Sequence, residues 1–378
     1  MKEPAEIREQ VAVKLLSQVK AASHLKAFVG LDGFVDEIVH VVDKRQDADN
    51  YQRLDTISAL SERLGGAAGQ STNIELVVQR RKLGGNGPIM ANALSRFGIK
   101  VTYVGSLGYP NLHPVFHEFA RRAEVHSIGE AGHTDALEFE DGKVMFGKLV
   151  QLKDITWPNI QARYGRDQFI EKFTTSDLVG FVNWTMIPYM SDIWASLLHE
   201  FCPASSAVRK KIFFDLADPE KRTPKDIARA LGLIGSFEKY FDVILGLNEK
   251  EAYEIGEVLG MNTSDRHRPD LYKLCSEMQQ RLKVNTLVVH PVTYALAVSN
   301  GVVSPMDGPY VGKPLITTGA GDHFNAGFCL GKLLGFDNEA CVLLGVTTSG
   351  FYVRTAQSPC IDDLVEMLRH WVPRDQSE

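Results

Sequence analysis

Short apolar segments alternate with helical patterns along most of the chain. The apolar segments lack strict alternation, which predicts strands that are buried on both faces, as in a parallel sheet. Helical periodicity occurs between them, at residues 88–97, 192–201 and 249–259. This order predicts a three-layer α/β/α fold with a mostly parallel central sheet. The predicted strands cover residues 26–31, 101–106, 177–184, 211–216, 241–247 and 285–290.

Two segments interrupt this alternation. Residues 55–82 are rich in Gly and Ser and then show a strand pattern at 73–79. Residues 136–148 alternate around Asp141-Gly142, and Asp-Gly is a strong signal for a two-residue hairpin turn. The two segments predict a small β-sheet over one edge of the main domain. Plain surface hairpins are the alternative.

The remaining segments complete the predicted organisation. A further hairpin is predicted at Asn300-Gly301, and residues 154–166 are predicted to form a surface connection. The domain boundaries that follow are an N-terminal helical extension at 1–25, a main α/β domain at 26–365 with a β-lid from about 36–83 and 135–150, and a C-terminal tail at 366–378.

Composition and charge exclude several classes of protein. The chain has 378 residues and a net charge of −6, and no basic run is longer than three residues, as at Arg80-Arg81-Lys82, so a nucleic-acid-binding surface is not predicted. Its five cysteines are scattered without a C-x-x-C pair, which favours reduced thiols over a disulfide framework or a zinc site. The longest uncharged stretch, 284–306, is interrupted by Pro, Asn and Gly and does not predict a membrane span. These features predict a cytoplasmic protein.

The most informative motif is the run 317–328, Thr-Thr-Gly-Ala-Gly-Asp-His-Phe-Asn-Ala-Gly-Phe. Its glycines allow backbone N–H groups to close around an anion before a helix-like segment at 324–334. The carboxylate of Asp322 lies beside that anion site, where it can take a proton from a hydroxyl group. A helix N-terminus also favours the ionised carboxylate, so a base is predicted at neutral pH. The alternative is a glycine turn that Asp322 caps.

Three weaker features accompany this motif. The run 83–88, Leu-Gly-Gly-Asn-Gly-Pro, precedes a helix and offers an amide to a polyhydroxylated ligand. Asp32 and Asp36 follow the first predicted strand, where open parallel sheets bind ligands. Asn248 and Glu251 lie three residues apart at a strand-to-helix junction, an arrangement that suits a hydrated magnesium ion or an ordinary helix start.

Together these features resemble the ribokinase-like (PfkB) carbohydrate kinase family. Residues 317–327 match the family's C-terminal signature, roughly D-T-x-G-A-G-D-x-F-x-A-G, except for its leading Asp. The glycine pair before Asn86 matches the N-terminal signature region, and Asn248 with Glu251 matches the N-x-x-E motif. Residues 215–219 are similar to a strand-end aspartate segment of the family. The resemblance spans about residues 27–358.

The resemblance implies a role for each matching residue. Asp322 would be the base that activates the acceptor hydroxyl, and the amides of Gly319, Ala320 and Gly321 would form the anion hole for the transferred phosphoryl group. ATP would be the phosphoryl donor, with Mg²⁺ organised by Asn248 and Glu251 partly through water. The nucleotide-binding residues would be Asn248, Thr318, Gly319 and Gly321.

The same resemblance implies the acceptor site. Asp36 best matches the family's sugar-binding aspartate, Asp32 is the second candidate, and Gly85 and Asn86 would also bind the acceptor. The two inserted segments would form the family's β-sheet lid, which covers the acceptor and excludes water. Because a lid exposes a sheet face, a homodimer through the lid is also expected.

The chain departs from the family pattern at three positions. Ile316 occupies the place of an Asp that lies near a monovalent-cation site in several members, which leaves dependence on K⁺ open. The segment 290–293, His-Pro-Val-Thr, replaces a Gly-containing turn that normally frames the nucleotide, which leaves the preferred nucleotide open. His323, next to Asp322, is interpreted as a solvated loop residue, and the alternative is that it tunes the base or contacts the substrate.

The sequence therefore predicts an ATP-dependent kinase that phosphorylates a hydroxymethyl group of a sugar or sugar-like alcohol. Two alternatives remain at this point. One is a nucleoside kinase of the same family, which differs in its acceptor. The other is a catalytically silent relative that binds a ligand, to which the substitutions at Ile316 and 290–293 point.

Overall fold

The fold was examined in a computed structural model that describes residues 4–202 and 209–371. Its strands are β1 Lys26–Leu31, β2 Phe34–Arg45, β3 Tyr51–Arg53, β4 Leu76–Gly84, β5 Lys100–Gly105, β6 Glu124–Ser127, β7 Gly132–Phe139, β8 Gly142–Lys148, β9 Leu178–Phe181, β10 Lys210–Asp215, β11 Phe241–Leu247, β12 Thr286–Val289, β13 Tyr294–Ser299 and β14 Val302–Asp307.

Helices connect most of these strands. They are α1 Pro4–Ser17, α2 Val19–Ala22, α3 Ile57–Gly66, α4 Asn86–Arg96, α5 His117–Ala120, α6 Trp157–Arg163, α7 Arg166–Thr175, α8 Met190–Glu200, α9 Pro224–Phe237, α10 Glu249–Val258, α11 Arg268–Leu282, α12 Ala320–Leu333, α13 Asn338–Thr355 and α14 Ile361–His370. Short 3₁₀ turns lie at Pro114–Phe116, Val150–Asp154 and Pro219–Lys221.

The large sheet has nine strands in the order β14-β13-β12-β11-β10-β9-β1-β5-β6. All neighbours from β12 to β6 pair in parallel, and β13 and β14 add an antiparallel edge. Neighbouring side chains of β10 enter different hydrophobic clusters, Phe213 on one face of the sheet and Phe214 on the other. Helices therefore cover both faces, which confirms the predicted three-layer α/β arrangement.

A separate small sheet is built from β2, β3, β4, β7 and β8. Pairing and alternation place the side chains of Lys82, Asp36, Thr134 and Lys143 on one of its faces. The opposite face packs Val39, Val41 and Leu137 against Leu60 of α3. We call these the inner and outer faces of the small sheet, because the inner face borders the cleft described below.

Several predicted segments differ from the structure. The predicted surface connection at 154–166 is wrong, because α6 lies within it and buries Trp157 and Ile160 in the core. Residues 57–66 form a helix that the glycine-rich pattern concealed; Thr56 caps it by accepting a hydrogen bond from the Ala59 amide. The helix of the main motif begins at Ala320, four residues before the predicted start.

The termini are described in part. The predicted N-terminal helix is present as α1, and residues 1–3 lie outside the described residues. The segment predicted as a C-terminal tail begins inside α14, and residues 372–378 lie outside the described part of the chain. Among the described helices, none combines the length and apolar character needed to cross a membrane.

Candidate active site

Polar side chains collect at the carboxyl edge of the large sheet. Asp32 follows β1, Asp215 ends β10, Asn248 follows β11 and His290 follows β12. These strands are parallel, so their ends share one edge, which is where open α/β sheets bind ligands. The N-terminus of α12, with Asp322 in its first turn, lies at the same edge.

Asp322 is held in the first turn of α12. Gly319 precedes the helix with φ +95°, a conformation that glycine adopts without strain. The Asp322 side chain is 7% exposed, and its Oδ1 accepts a hydrogen bond of 2.9 Å from the side-chain amide of Asn86. The carboxylate is therefore buried but held at a defined position by a second helix.

Burial changes the protonation of this carboxylate. It raises the pKa of Asp322 to about 8; the hydrogen bond from Asn86 opposes that rise, and the nearby charge of Asp32 adds to it. The sequence-based prediction of an ionised base at neutral pH is therefore wrong for the ligand-free chain. The helix N-terminus does not offset the loss of hydration.

The backbone before Asp322 offers several N–H donors. The amide of Ala320 donates to the carbonyl of Thr317 at 3.1 Å and is already engaged in a turn. Among the described residues, none accepts from the amides of Gly319, Gly321 or Asp322. These three amides at a helix start form a cradle for an anion. The predicted anion hole thus has Gly319 and Gly321 available, while Ala320 is occupied.

The two candidate acceptor aspartates have different environments. Asp36 is 4% exposed on the inner face of the small sheet and lines a cleft of about 430 Å³ that Asp322 also lines. Asp32 is fully buried behind that cleft, where its carboxylate accepts from the Gly87 amide at 2.9 Å and from Asn183 Nδ2 at 2.8 Å. Asp36 therefore lines the cleft, whereas Asp32 lies behind it and binds Gly87 and Asn183.

The glycine pair before Asn86 allows this close packing. A Cβ atom on Gly84 would lie 2.3 Å from the carboxylate of Asp36, so only glycine fits there. Gly85 and Asn86 both line the cleft, and Asn86 begins α4. The side chain of Asn86 meets Asp322 although the two residues lie 236 positions apart in the sequence.

Asn248 and Glu251 form a capping box at the start of α10. Asn248 Oδ1 accepts from the Glu251 amide at 2.9 Å, and Glu251 Oε2 accepts from the Asn248 amide at 2.8 Å. Glu251 Oε1 accepts from the Asp218 amide, also at 2.8 Å. The interpretation as a helix start is confirmed, and both residues also line the cleft beside Asp322. The magnesium role stays a prediction.

The carboxylates around Glu251 are suited to a nearby cation. Burial raises the pKa of Glu251 to about 8 and that of Asp215 to about 7. The charge of Asp215 adds to the rise at Glu251, the charge of Asp322 adds to the rise at Asp215, and the charge of Asp218 adds to both. No cluster of three or more His, Cys, Asp or Glu suited to direct metal binding occurs in residues 4–202 and 209–371. Since both oxygens of Glu251 already accept backbone hydrogen bonds, the site fits a hydrated magnesium ion held through water.

A second cleft of about 440 Å³ lies on the other side of the glycine motif. Its wall includes Thr317, Ala320 and Gly321, whereas Thr318, Gly319 and Asp322 line the first cleft. Asn248 lines both clefts. The motif therefore separates two ligand-sized spaces and offers each of them backbone and side-chain groups. We call the 430 Å³ space the acceptor-side cleft and the 440 Å³ space the apolar cleft.

Sequence reasoning missed Lys143. It follows the Asp141-Gly142 turn on the inner face of the small sheet, and its Nζ donates a hydrogen bond of 2.5 Å to Oγ1 of Thr318. The hairpin signal predicted the turn but not which residue would reach the glycine motif. Asn183 and Asn325 were also missed; Asn325 lies one turn after Asp322 and donates to Asp215 at 2.8 Å.

His323 is not a solvated loop residue, which corrects the sequence-based interpretation. It is 2% exposed in α12, and burial lowers its pKa to about 4, so the ring is neutral. Its Nδ1 donates to the carbonyl of Gly319 at 2.7 Å, and its Nε2 accepts from the hydroxyl of Ser358 at 2.8 Å. The ring also stacks on Tyr352 with 3.7 Å between centroids.

Comparison with known protein families gives a match over nearly the whole chain. A family model described as prokaryotic ketohexokinase matches residues 11–371. A ketohexokinase from Haloferax volcanii is 29% identical over 341 residues, which cover 90% of this chain and 89% of that protein.

Solved structures show the same fold at low sequence identity. A ribokinase from Arabidopsis thaliana, complexed with ribose and ATP, superposes with a TM-score of 0.63 at 16% identity and covers 92% of this chain and 99% of its own. An adenosine kinase from Sinorhizobium meliloti superposes with a TM-score of 0.63 at 17% identity. The match covers 91% of this chain and 98% of the adenosine kinase. The predicted ribokinase-like fold, with a mostly parallel sheet and a small separate sheet, is confirmed.

Proposed function

The chain belongs to the prokaryotic ketohexokinase family, and from this premise we propose that it transfers the γ-phosphoryl group of ATP to a hydroxymethyl group of a ketohexose. Membership makes it a sugar kinase, a phosphotransferase with an alcohol group as acceptor, as the sequence motifs predicted. Ketohexose is the acceptor named for the matched family and for the relative from Haloferax volcanii.

The acceptor-side cleft is proposed to hold the sugar. Its wall offers the carboxylate of Asp36 and the amides of Asn86 and Asn183, groups that bind hydroxyls. Phe34 and Met186 add apolar surface to the same wall. A volume of about 430 Å³ accommodates one hexose with its reacting hydroxyl at Asp322.

The apolar cleft is proposed to hold the nucleotide. Pro291, Val292 and Val346 are among its lining residues, and a flat base is favoured by apolar walls. His290 also lines it, and burial lowers the pKa of His290 to about 4, so the ring contributes no positive charge. The phosphates would then reach the glycine motif, which separates this cleft from the sugar.

The chemical step follows from the position of Asp322 on the acceptor-side cleft, next to the glycine motif. The acceptor oxygen forms a bond to the γ-phosphorus as the bond from that phosphorus to the β-phosphate oxygen breaks, and ADP leaves. The acceptor proton passes to Asp322, whose ionised form is required. The amides of Gly319 and Gly321 and the ammonium group of Lys143 stabilise charge on the transferred group.

Magnesium would be held near Asn248 and Glu251 through water, with Asp218 beside them. It would supply positive charge to the donor phosphates. Burial raises the pKa values of Asp215 and Glu251, so a magnesium ion bound nearby would favour the ionised forms of both carboxylates.

A single observation carries the proposal. Asp322 lies buried on the acceptor-side cleft, next to the glycine motif that separates this cleft from the apolar one, with its Oδ1 fixed by Asn86 and with free backbone amides beside it. This arrangement places a proton acceptor next to an anion cradle, as phosphoryl transfer to a hydroxyl requires.

The test is ADP release with Mg²⁺ and ATP across ketohexoses, aldohexoses, ribose, sugar acids, polyols and nucleosides, with wild type and Asp322→Asn in parallel. We expect turnover with a ketohexose, and its collapse in the variant. Turnover with a nucleoside and no sugar would favour the nucleoside kinase alternative. Sugar binding by calorimetry without ADP release from any acceptor would favour the catalytically silent alternative.

The small sheet is also proposed to pair two copies of the chain. Its outer face exposes Leu76, Val78 and Phe146, which are 42%, 41% and 51% exposed beside the part that α3 covers. Exposed apolar side chains on a sheet favour association. A second copy would cover them and would leave the inner face directed at the sugar.

A further inference from the structure

A third cavity lies next to the acceptor-side cleft and is larger than either cleft. Its volume is about 700 Å³. Its walls are the end of β4, one face of α4, residues 114–122 and the end of α13. Ile89 lines both this cavity and the acceptor-side cleft. The catalytic mechanism proposed above uses none of the residues that line the third cavity.

The cavity is strongly cationic in a protein whose net charge is −6. One carboxylate, that of Glu118, lines it and is paired with Arg122 at 3.0 Å. Its cationic lining residues are Arg80, Arg81, Lys82, Arg96 and Arg122. Such an excess of positive charge in a concave site attracts anions.

Two of these cations have buried N–H groups without a hydrogen-bond acceptor among the described residues. They are Nζ of Lys82 and Nε of Arg122. The Lys82 side chain is 11% exposed, and its nearest carboxylate oxygen, Oδ2 of Asp36, lies 4.0 Å away. Buried donors are normally satisfied, so two unsatisfied donors at one cavity indicate a ligand that accepts hydrogen bonds.

The guanidinium groups at this cavity are also held in place. Arg122 Nη2 donates to Asn92 Oδ1 at 2.8 Å, and Arg96 Nε donates to the carbonyl of Ser358 at 3.2 Å. Preorganised guanidinium groups bind phosphate oxygens in a fixed geometry. Across from them, Val115 and Phe119 supply an apolar wall that fits the organic part of a ligand.

We propose that this cavity is a second ligand site that binds the phosphate group of a phosphorylated small molecule, separate from the acceptor-side and apolar clefts. The back of the cavity is formed by His323 and Tyr352, which donate hydrogen bonds to the carbonyls of Gly319 and Thr318. A ligand there therefore lies directly behind the glycine motif. Binding to this cavity is measured without turnover, and only the competition arm of the test rests on the proposed function, because it fills the other two clefts with a sugar and a nucleotide analogue.

The test is isothermal titration calorimetry of the full chain with inorganic phosphate, D-fructose 1-phosphate and ADP as separate probes. Each titration is repeated with D-fructose and a non-hydrolysable ATP analogue at saturation, which occupy the other two clefts. The variants are Arg122→Gln and Arg96→Gln. Arg121→Gln is the matched control, because Arg121 is an exposed neighbour that does not line the cavity.

We expect at least one probe to bind with both clefts filled, and each lining variant to weaken it about tenfold, since hydrogen bonds to charged groups contribute that much to affinity. Arg121→Gln should bind as wild type does. The probe that binds tightest identifies the source of the phosphate as free phosphate, a sugar phosphate or a nucleotide. Thermal unfolding of each variant checks its fold, and Arg96→Gln serves if Arg122→Gln is unfolded.

Three results would overturn the proposal. One is the absence of binding by every probe to wild type. Another is binding that disappears when the two clefts are filled, which would place the anion at the glycine motif. The third is equal affinity in wild type and in folded Arg96→Gln and Arg122→Gln.

Discussion

Asn86 donates its side-chain amide to Oδ1 of Asp322 at 2.9 Å and thereby joins the starts of two helices, α4 and α12. One oxygen of the carboxylate is thus fixed, while no described residue donates to the other oxygen, Oδ2. Oδ2 is therefore the atom available to a substrate hydroxyl. The hydrogen bond from Asn86 thus orients the buried carboxyl group of Asp322 through a neutral amide and not through a cationic side chain.

Replacing the proposed base tests its role directly. Asp322→Asn keeps the size of the side chain but cannot accept a proton, so we expect kcat to fall about 10²–10⁴-fold with a small change in the KM for sugar. Steady-state ADP release measures both constants. Asp362→Asn, on the exposed first turn of α14, is the matched control and should retain full activity. Full turnover by Asp322→Asn would refute the assignment.

The pH dependence of the reaction follows from the raised pKa of Asp322. Because the pKa is about 8 in the free chain, most Asp322 is protonated and inactive at neutral pH. We expect kcat/KM for sugar to rise with pH and to level off above about pH 8, since this constant reports the free enzyme. A profile already flat from about pH 6 upward would contradict the prediction.

The same burial predicts an effect on stability. The folded pKa of Asp322 lies above the unfolded value of 3.8, so stability falls as pH rises from that value towards about 8. Asp322→Asn removes this loss, and we expect it to unfold with a free energy on the order of 1–3 kcal/mol higher than wild type at alkaline pH. Urea unfolding on both sides of the folded pKa measures the difference, which should shrink at acidic pH. A variant no more stable at high pH would be evidence against a buried, destabilising charge.

The contact of Lys143 with Thr318 predicts a catalytic contribution from the small sheet. Lys143→Met removes a positive charge beside the glycine motif but keeps a side chain of similar length. We expect kcat to fall about tenfold to hundredfold. Lys148→Met is the matched control, since Lys148 lies on the same strand but on the outer face, paired with Asp135. Equal losses in both variants would assign the effect to the strand and not to the ammonium group.

Association through the outer face can be tested with one charge. Val78→Glu places a carboxylate in the exposed apolar patch, and we expect it to convert a dimer into a monomer of 42.0 kDa. Val302→Glu, at a 65% exposed position on β14, is the control and should leave the mass unchanged. Light scattering after size-exclusion chromatography gives the masses. A wild type that elutes as a monomer would refute the pairing.

Local patterns predicted the parts of this fold in which local and tertiary preferences agree. The strand 241–247 is apolar except at Asp242, and every other position in it is buried, so its pattern was enough to predict it. The helix 57–66 was missed because it buries one residue, Leu60, and is otherwise rich in polar residues and glycine. Such a segment shows no apolar periodicity that would predict a helix. For α6, the apolar Trp157 and Ile160 are too few to show periodicity in a short helix.

The sequence motifs indicated candidate site residues, but they did not predict the electrostatics of the site. The run around Asp322 and the pair Asn248 and Glu251 could be located from their motifs, because each motif is a continuous stretch of sequence at the start of a helix. The raised pKa of Asp322 and the burial of His323 depend on helices that are distant in sequence. Lys143 was missed for the same reason, since no local pattern shows which side chain of a hairpin reaches across a cleft.

The hydrogen bond between Lys143 and Thr318 also links the two sheets of the fold through a charged group. Lys143 belongs to the small sheet, and Thr318 belongs to the glycine motif at the edge of the large sheet. The positive charge at the motif is therefore supplied by a different part of the fold from the motif itself. Under the proposed function, the strength of phosphate binding would depend on where the small sheet lies.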